Sequence, residues 1–149
     1  MTPKFRLATL LKLRLDERDR RRNDLAQAME AERVLQTRLA DLDQEIAAVR
    51  ANSAATKLGP INVDDLLQSN RYELMLRAQR KGLEGQIAQV RAEIERRRQA
   101  LVEADRNVRV LEKLRERQLE AAAAEELRLE AKSFDEIALI GYRRSGGDA

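Results

Sequence analysis

The stretch that decides the fold reads LEGQIAQVRAEIERRRQALVEADRNVRVL and covers residues 83–111. Its apolar residues recur at alternating intervals of four and three, which is the seven-residue repeat of a coiled-coil helix. The positions of this repeat are Leu83, Ile87, Val90, Ile94, Arg97, Leu101, Ala104, Val108 and Leu111, of which only Arg97 is polar. The stretch therefore predicts a long helix that buries one narrow stripe against another helix.

An earlier stretch carries the same repeat and supplies the partner helix. Its positions are Leu25, Ala28, Glu32, Leu35, Leu39, Leu42, Ile46 and Val49, and only Glu32 is charged. The pair Gly59-Pro60 lies between the two stretches and is typical of a turn that ends a helix. The sequence thus predicts an all-α fold in which two long helices form an antiparallel coiled-coil hairpin. Facing residues are then expected to have numbers that sum to about 120.

Two chains that pair their long helices with each other are the alternative to a hairpin within one chain. The central turn and the repeats on both sides of it favour closure within the chain, because the two arms are tethered. We predict a single hairpin over residues 1–141, with arms at about 4–56 and 64–132 and a turn at 57–63.

The second arm is expected to overhang the first at the open end of the hairpin. At 1.5 Å per residue the arms would be roughly 80 and 100 Å long. A short helix between Ser133 and Gly141 and a disordered tail over residues 142–149 complete the predicted organisation.

The composition excludes several classes of function. The chain has no His and no Cys, so histidine bases, cysteine nucleophiles, zinc sites and disulfides are ruled out. Aromatic residues make up 3% of the chain and no catalytic constellation is visible, so neither an enzyme nor a cofactor is predicted. The sequence has no apolar run long enough to span a membrane, and we expect a cytoplasmic protein.

The charged residues are nearly balanced, with a net charge of +3. The stretch Asp16–Asp24 has no apolar residue, and the hairpin register places Arg96–Arg98 across from its end. This region is interpreted either as a solvated surface or as a charged collar that meets an acidic partner. Contact with nucleic acid is disfavoured, because acids interleave with the arginines and no aromatics are placed for base stacking.

Three further features have alternative interpretations. The dense apolar run from Phe5 to Leu13 cannot all face one seam, so part of it either packs locally or meets a partner. Tyr72 either covers the seam or anchors a partner. The segment Gly82–Gly85 has the spacing of a loop that clamps nucleic acid, but its place in a helical pattern favours a local soft point.

Four stretches, taken in order, resemble the FliJ family, the stalk proteins of the bacterial flagellar type III export apparatus. They are FRLATLLKLR at residues 5–14, YELML at 72–76, LEKLRER at 111–117, and Glu125-Glu126 followed by Phe134-Asp135-Glu136-Ile137-Ala138. The likeness extends over about residues 4–140. The family often has an aromatic residue further along the second arm, where this chain has Ala121–Ala124.

The resemblance implies a central stalk that binds the hexameric flagellar export ATPase and links it to the export gate and to export chaperones. The residues implied to face the ATPase are Phe5, Leu7, Leu11, Arg14, Leu114, Arg117, Asp135 and Glu136. Those implied to face the cytoplasmic domain of the gate are Tyr72, Leu76 and Leu83. The protein would be a monomer when free and would be peripheral at the cytoplasmic face of the inner membrane, without inserting into it.

Two other functions remain open at this point. One is a generic cytoplasmic coiled-coil scaffold or chaperone, including the equivalent stalk of a virulence type III secretion system. The other is a helical protein that binds nucleic acid through its arginine clusters. Retention by the export ATPase would separate the stalk from both.

Overall fold

The computed structural model describes residues 4–147, and its regular structure in that range is entirely α-helical. Helix α1 spans Ala8–Thr56 and helix α2 spans Val63–Gly146, with 49 and 84 residues. The two helices run antiparallel and contact each other through side chains from opposite arms. The predicted all-α helical hairpin is therefore confirmed.

Polar groups of the turn mark where the helices end and begin. At the end of α1, the amide of Lys57 donates to the carbonyl of Ser53 over 3.2 Å. At the start of α2, the side-chain oxygen of Asn62 accepts from the amide of Asp64 over 3.1 Å, as an N-cap residue does. Asp64 and Asp65 then place negative charge in the first turn, where the helix dipole favours it.

The chain divides into two compact units, and one of them is formed by Asp19–Val102. Its seam has the predicted composition: every repeat position from 25 to 49 and from 83 to 101 is buried or half-buried. Leu76 extends the seam towards the turn and is only 2% exposed.

Ion pairs across this unit define its register. Arg50 meets Glu73 at 2.7 Å, and Arg91 meets Glu32 at 2.9 Å. The numbers of facing residues thus sum to about 123, close to the predicted value, as two antiparallel helices require.

The other unit is formed by Met1–Arg18 together with Glu103–Ala149. Its core consists of Leu11, Val108 and Leu111, with Phe5 and Leu15 packed against them, and Val108 is 0% exposed. The amide of Gln118 donates to the carbonyl of Lys4 over 3.4 Å. Among the described residues, the pairing of α2 with the N-terminal segment extends to this contact. The extent of the domain predicted over residues 1–141 stays a prediction.

The C-terminal part of α2 differs from the predicted organisation. The helix continues without a break to Gly146. It passes through Ser133, where a break was expected, and through Gly141, where a helix end was expected. Residues 142–146, which were expected to be part of a disordered tail, are helical as well. Serine and glycine weaken a helix interior by no more than about 1 kcal/mol each, and strong helix formers flank them here. Arg143 and Arg144 lie in the last turn, where positive charge is favourable. Residues 148 and 149 of the expected tail lie outside the described residues.

Candidate partner-binding surfaces

The open end of the hairpin exposes an apolar surface beside its seam. Leu7, just before the start of α1, and Leu114 in α2 are both exposed. Leu7 lies four residues before the buried Leu11, and Leu114 lies three residues after the buried Leu111. The antiparallel register puts them at the same height on the same side of the helix pair. Leu10 and Val110 are exposed on that side too. We call these four residues, Leu7, Leu10, Val110 and Leu114, the open-end patch.

Two arginines border the open-end patch. Arg14 lies two turns after Leu7 in α1, and Arg117 lies one turn after Leu114 in α2, and both are exposed. An apolar centre with a polar rim is the usual anatomy of a protein interface. The positive rim suits a partner whose own surface is acidic around an apolar centre.

Two of the residues implied to face the ATPase are packed inside the open end. Leu11 is buried against Val108 and Leu111, and Phe5 is half-buried against the same cluster. These two side chains hold the helices together beneath the open-end patch. Their contact with a partner stays a prediction.

The remaining two implied residues, Asp135 and Glu136, lie on the C-terminal part of α2. We call residues 123–146 the overhang, since they extend beyond the point where α1 begins. Every residue of the overhang is exposed, including large apolar side chains at seven positions. These are Leu127, Leu129, Phe134, Ile137, Leu139, Ile140 and Tyr142. No other part of the described chain covers them.

The three residues implied to face the gate have different environments. Tyr72 is exposed and donates its hydroxyl hydrogen to Glu45 across the helix pair. This hydrogen bond to a carboxylate raises the pKa of Tyr72. Leu76 is buried in the seam, and Leu83 is half-buried. Tyr72 is therefore the member of this group that offers most surface to a partner.

Ion pairs surround Tyr72 and fix the helices at this point. Glu73 accepts hydrogen bonds from Arg50 at 2.7 Å and from Arg77 at 2.9 Å. The hydrogen bond from Arg50 lowers the pKa of Glu73 most, and Arg77 adds to the effect. Arg80 pairs with Asp43 over 2.6 Å one turn further along.

The arginine cluster at residues 96–98 is held by glutamates of its own helix. Arg96 bonds Glu93 at 2.6 Å, and Arg98 bonds Glu95 at 3.1 Å. Hydrogen bonds from Arg96 and then Arg97 lower the pKa of Glu93. Such pairing on one helix is typical of a solvated surface.

Arg97 is the polar residue of the α2 seam, and its position explains how the seam accommodates it. Its guanidinium donates to the backbone carbonyl of Asp24 over 2.5 Å and to Glu93 over 3.0 Å. Arg97 thus lies across from the end of the charged stretch 16–24, as the register predicted. That no nucleic acid binds to these arginines stays a prediction.

Residues 4–147 bring together no group of three or more acidic side chains that could hold a metal ion. Over the same residues, neither helix contains a stretch both long and apolar enough to cross a membrane.

Sequence reasoning did not name Leu10 and Val110 among the candidate site residues, and both are exposed. Their repeat positions place them beside Leu7 and Leu114 once the facing register is known. The run from Phe5 to Leu13 had indicated that some apolar side chains would stay exposed, without deciding which.

The family model described as flagellar FliJ protein matches residues 3–147 of the chain. No curated protein and no solved structure matches it. The family match covers all four stretches on which the resemblance was based.

Proposed function

Because the chain belongs to the FliJ family and is thus a component of the flagellar export apparatus, we propose that it is the apparatus's central stalk. In this role the open end of the hairpin binds the hexameric export ATPase. The observation that supports this most is the open-end patch, which leaves Leu7, Leu10, Val110 and Leu114 exposed on one side of the helix pair. Contiguous apolar surface of this kind usually marks a site of protein interaction.

The packing beneath the patch suits a contact that has to be presented rigidly. Leu11, Val108 and Leu111 form a buried cluster directly under it, so the exposed side chains stand on two fixed helices. A preorganised surface loses little conformational entropy on binding. Leu11 and Phe5 are then positioning residues, while Leu7, Leu114, Arg14 and Arg117 make the contact.

The stalk contributes no chemistry of its own in this proposal, and the FliJ family is a family of non-enzymatic export components. Its effect on the ATPase is mechanical: binding favours assembly of the hexamer and transmits changes in the ring to the gate. The protein acts in the cytoplasm, at the inner face of the membrane, and does not insert into the bilayer.

The export gate is proposed to contact the surface around Tyr72. An exposed tyrosine offers a rigid apolar ring with a polar tip, which is a frequent anchor at interfaces. Leu83 lies half-buried at the edge of the seam further along α2 and can add to the contact. Leu76 supports the surface from inside. Export chaperones are further proposed partners.

The ATPase contact is tested by comparing Leu114→Glu with Leu74→Glu. Both replace an exposed leucine of α2, but only Leu114 belongs to the open-end patch. We expect Leu114→Glu to weaken binding to the purified export ATPase at least tenfold, because it places a charge in the apolar centre. Leu74→Glu should bind as the wild type does. Equal binding by both folded variants would refute the open-end contact.

The gate contact is tested by Tyr72→Ala, with Leu74→Ala, two residues further along α2, as the control. We expect the Tyr72 variant to bind the cytoplasmic domain of the gate more weakly and the ATPase normally. Unchanged affinity for the gate would remove Tyr72 from the site.

The same binding assays separate the stalk from its alternatives. A virulence-system stalk would bind a virulence ATPase in preference to the flagellar one. A generic scaffold or chaperone would bind neither ring in a manner that depends on the open-end patch.

A further inference from the structure

The overhang carries a second apolar stripe that is separate from the hairpin seam. Alanine recurs at every seventh residue, at Ala124, Ala131 and Ala138, and the larger Leu127 and Phe134 alternate with them. The intervals are again three and four, as in a coiled coil. Phe134 is 69% exposed, and no described residue packs on the stripe.

This stripe lies on the side of α2 opposite to the seam. The seam repeat passes through Leu111, Gln118 and Ala122, and its continuation falls on mostly charged residues such as Glu125 and Glu136. Each stripe residue is two positions away from that continuation, which is about 200° around a helix of 3.6 residues per turn. The stripe therefore faces away from the side on which α1 packs, and α1 is not its partner.

We propose that the stripe binds the same stripe of a second copy of the chain, with the two overhangs antiparallel. In this arrangement Ala131 faces Phe134 of the second copy, and Leu127 faces Ala138 of the second copy. Each layer then combines a large side chain with a small one, which lets the helices approach closely and fills the space between them. The pairing is symmetric, so every contact forms twice.

The charges beside the stripe favour this pairing over its alternatives. Arg128 and Asp135 lie on one edge of the stripe, and the antiparallel arrangement brings Arg128 of one copy close to Asp135 of the other. A shift by one repeat in either direction would instead place Asp135 beside itself or Arg128 beside itself. A parallel pair would bring Glu130 beside Asp135 of the other copy, and two acids side by side repel.

The exposed area is consistent with a weak dimer. Aromatic side chains bury about 150–250 Å² each when fully covered. With Phe134, Tyr142, Leu127 and Ile137 largely exposed on or beside the stripe, the two copies would together bury roughly 1,000 Å², near the lower limit for a specific interface. We therefore expect association in the micromolar range or weaker. This inference does not rest on the proposed stalk function, but it places Asp135, which the family resemblance implied to face the ATPase, in a contact between copies. It also competes with the sequence-based expectation of a monomer when free.

The first test is sedimentation equilibrium of the full chain over micromolar to millimolar concentrations. We expect a monomer–dimer equilibrium for the wild type and at least a tenfold weaker dimer for Phe134→Glu. Leu129→Glu is the matched control, because Leu129 is exposed on the seam side of the same overhang, and it should behave as the wild type does. Circular dichroism of each variant checks that the helices are retained.

The second test is a charge exchange. Arg128→Glu alone should weaken the dimer, because it places two acids together at each end of the contact. Adding Asp135→Arg should restore the wild-type affinity. A chain that stays monomeric throughout the series overturns the proposal. Equal loss in Phe134→Glu and Leu129→Glu, or no restoration by the double exchange, overturns it as well.

Discussion

The family resemblance implied that Leu76 faces the export gate. Replacing Leu76 with alanine tests whether this side chain stabilises the helix pair or contacts the gate. Leu76 is 2% exposed in the seam of α2. Truncating a buried leucine removes its apolar contacts and leaves a cavity, and such changes cost about 2–5 kcal/mol. A seam between only two helices can close around the gap more easily than a larger core. We therefore expect Leu76→Ala to lower the free energy of unfolding by about 2–3 kcal/mol.

The matched control is Leu74→Ala, two residues away on the same helix. Leu74 is 66% exposed, so its truncation should change the free energy of unfolding by less than about 0.5 kcal/mol. Urea unfolding, followed by circular dichroism, measures the free energy of unfolding of both variants and of the wild type. A loss below about 1 kcal/mol for Leu76→Ala, together with a clear loss of gate binding, would refute the structural role and favour direct contact.

Four further substitutions have definite expected outcomes. Gly82→Ala and Gly85→Ala should each raise the free energy of unfolding by about 0.5–1 kcal/mol, because alanine is the better helix former. An added Cβ meets nothing within 4 Å at either position. A lower free energy of unfolding in urea would contradict this prediction. Arg97→Leu should raise the melting temperature, because a polar residue in a coiled-coil seam specifies the register at a cost in stability. A lower melting temperature would show that the hydrogen bonds of Arg97 to Asp24 and Glu93 stabilise the fold more than an apolar side chain would. The hydrogen bond from Arg50 is the main reason that the pKa of Glu73 lies below its ordinary value of 4.5. The ion pair between Glu73 and Arg50 therefore stabilises the fold at pH values above 4.5, and this stabilisation is lost as the pH falls through the lowered pKa of Glu73. Acid titration of the melting temperature should show a smaller decrease for Glu73→Gln than for the wild type, and equal decreases would contradict the assignment.

The seam and its register could be predicted from the sequence because a coiled coil needs only regular spacing. Every repeat position named between Leu25 and Val49 and between Leu83 and Leu111 is buried or half-buried. Two polar seam residues were also placed correctly, and each bonds across the helix pair: Glu32 with Arg91, and Arg97 with Asp24. Facing register followed from the single central turn.

The C-terminal part of α2 could not be predicted from local signals alone. Ser133 and Gly141 suggest helix ends, but their energetic effect is small beside that of the strong helix formers around them. The second arm was predicted to begin at about residue 64, and α2 begins at Val63, with Asn62 as its cap and Asp64 and Asp65 in its first turn. Several nearby polar residues can serve as caps, and only the backbone geometry decides between them.

The candidate sites were the least predictable part of the molecule. A motif resemblance places Leu11 and Leu76 among contact residues, whereas their repeat positions already indicated burial: Leu76 lies seven residues before Leu83. Whether Leu10 and Val110 are exposed depends on which side of the helix pair each of them lies. That side follows only when both helices and their register are known.

The measurement that tests the central claim most directly is binding of the wild-type chain to the purified export ATPase, with hydrolysis rate and oligomer size recorded together under nucleotide. The stalk assignment predicts that a substoichiometric amount of the chain binds, shifts the ATPase towards the hexamer and raises its rate of hydrolysis. If the fully helical chain neither binds nor stimulates the ATPase at any ratio, the open end is not the ATPase-binding surface and the stalk function is contradicted.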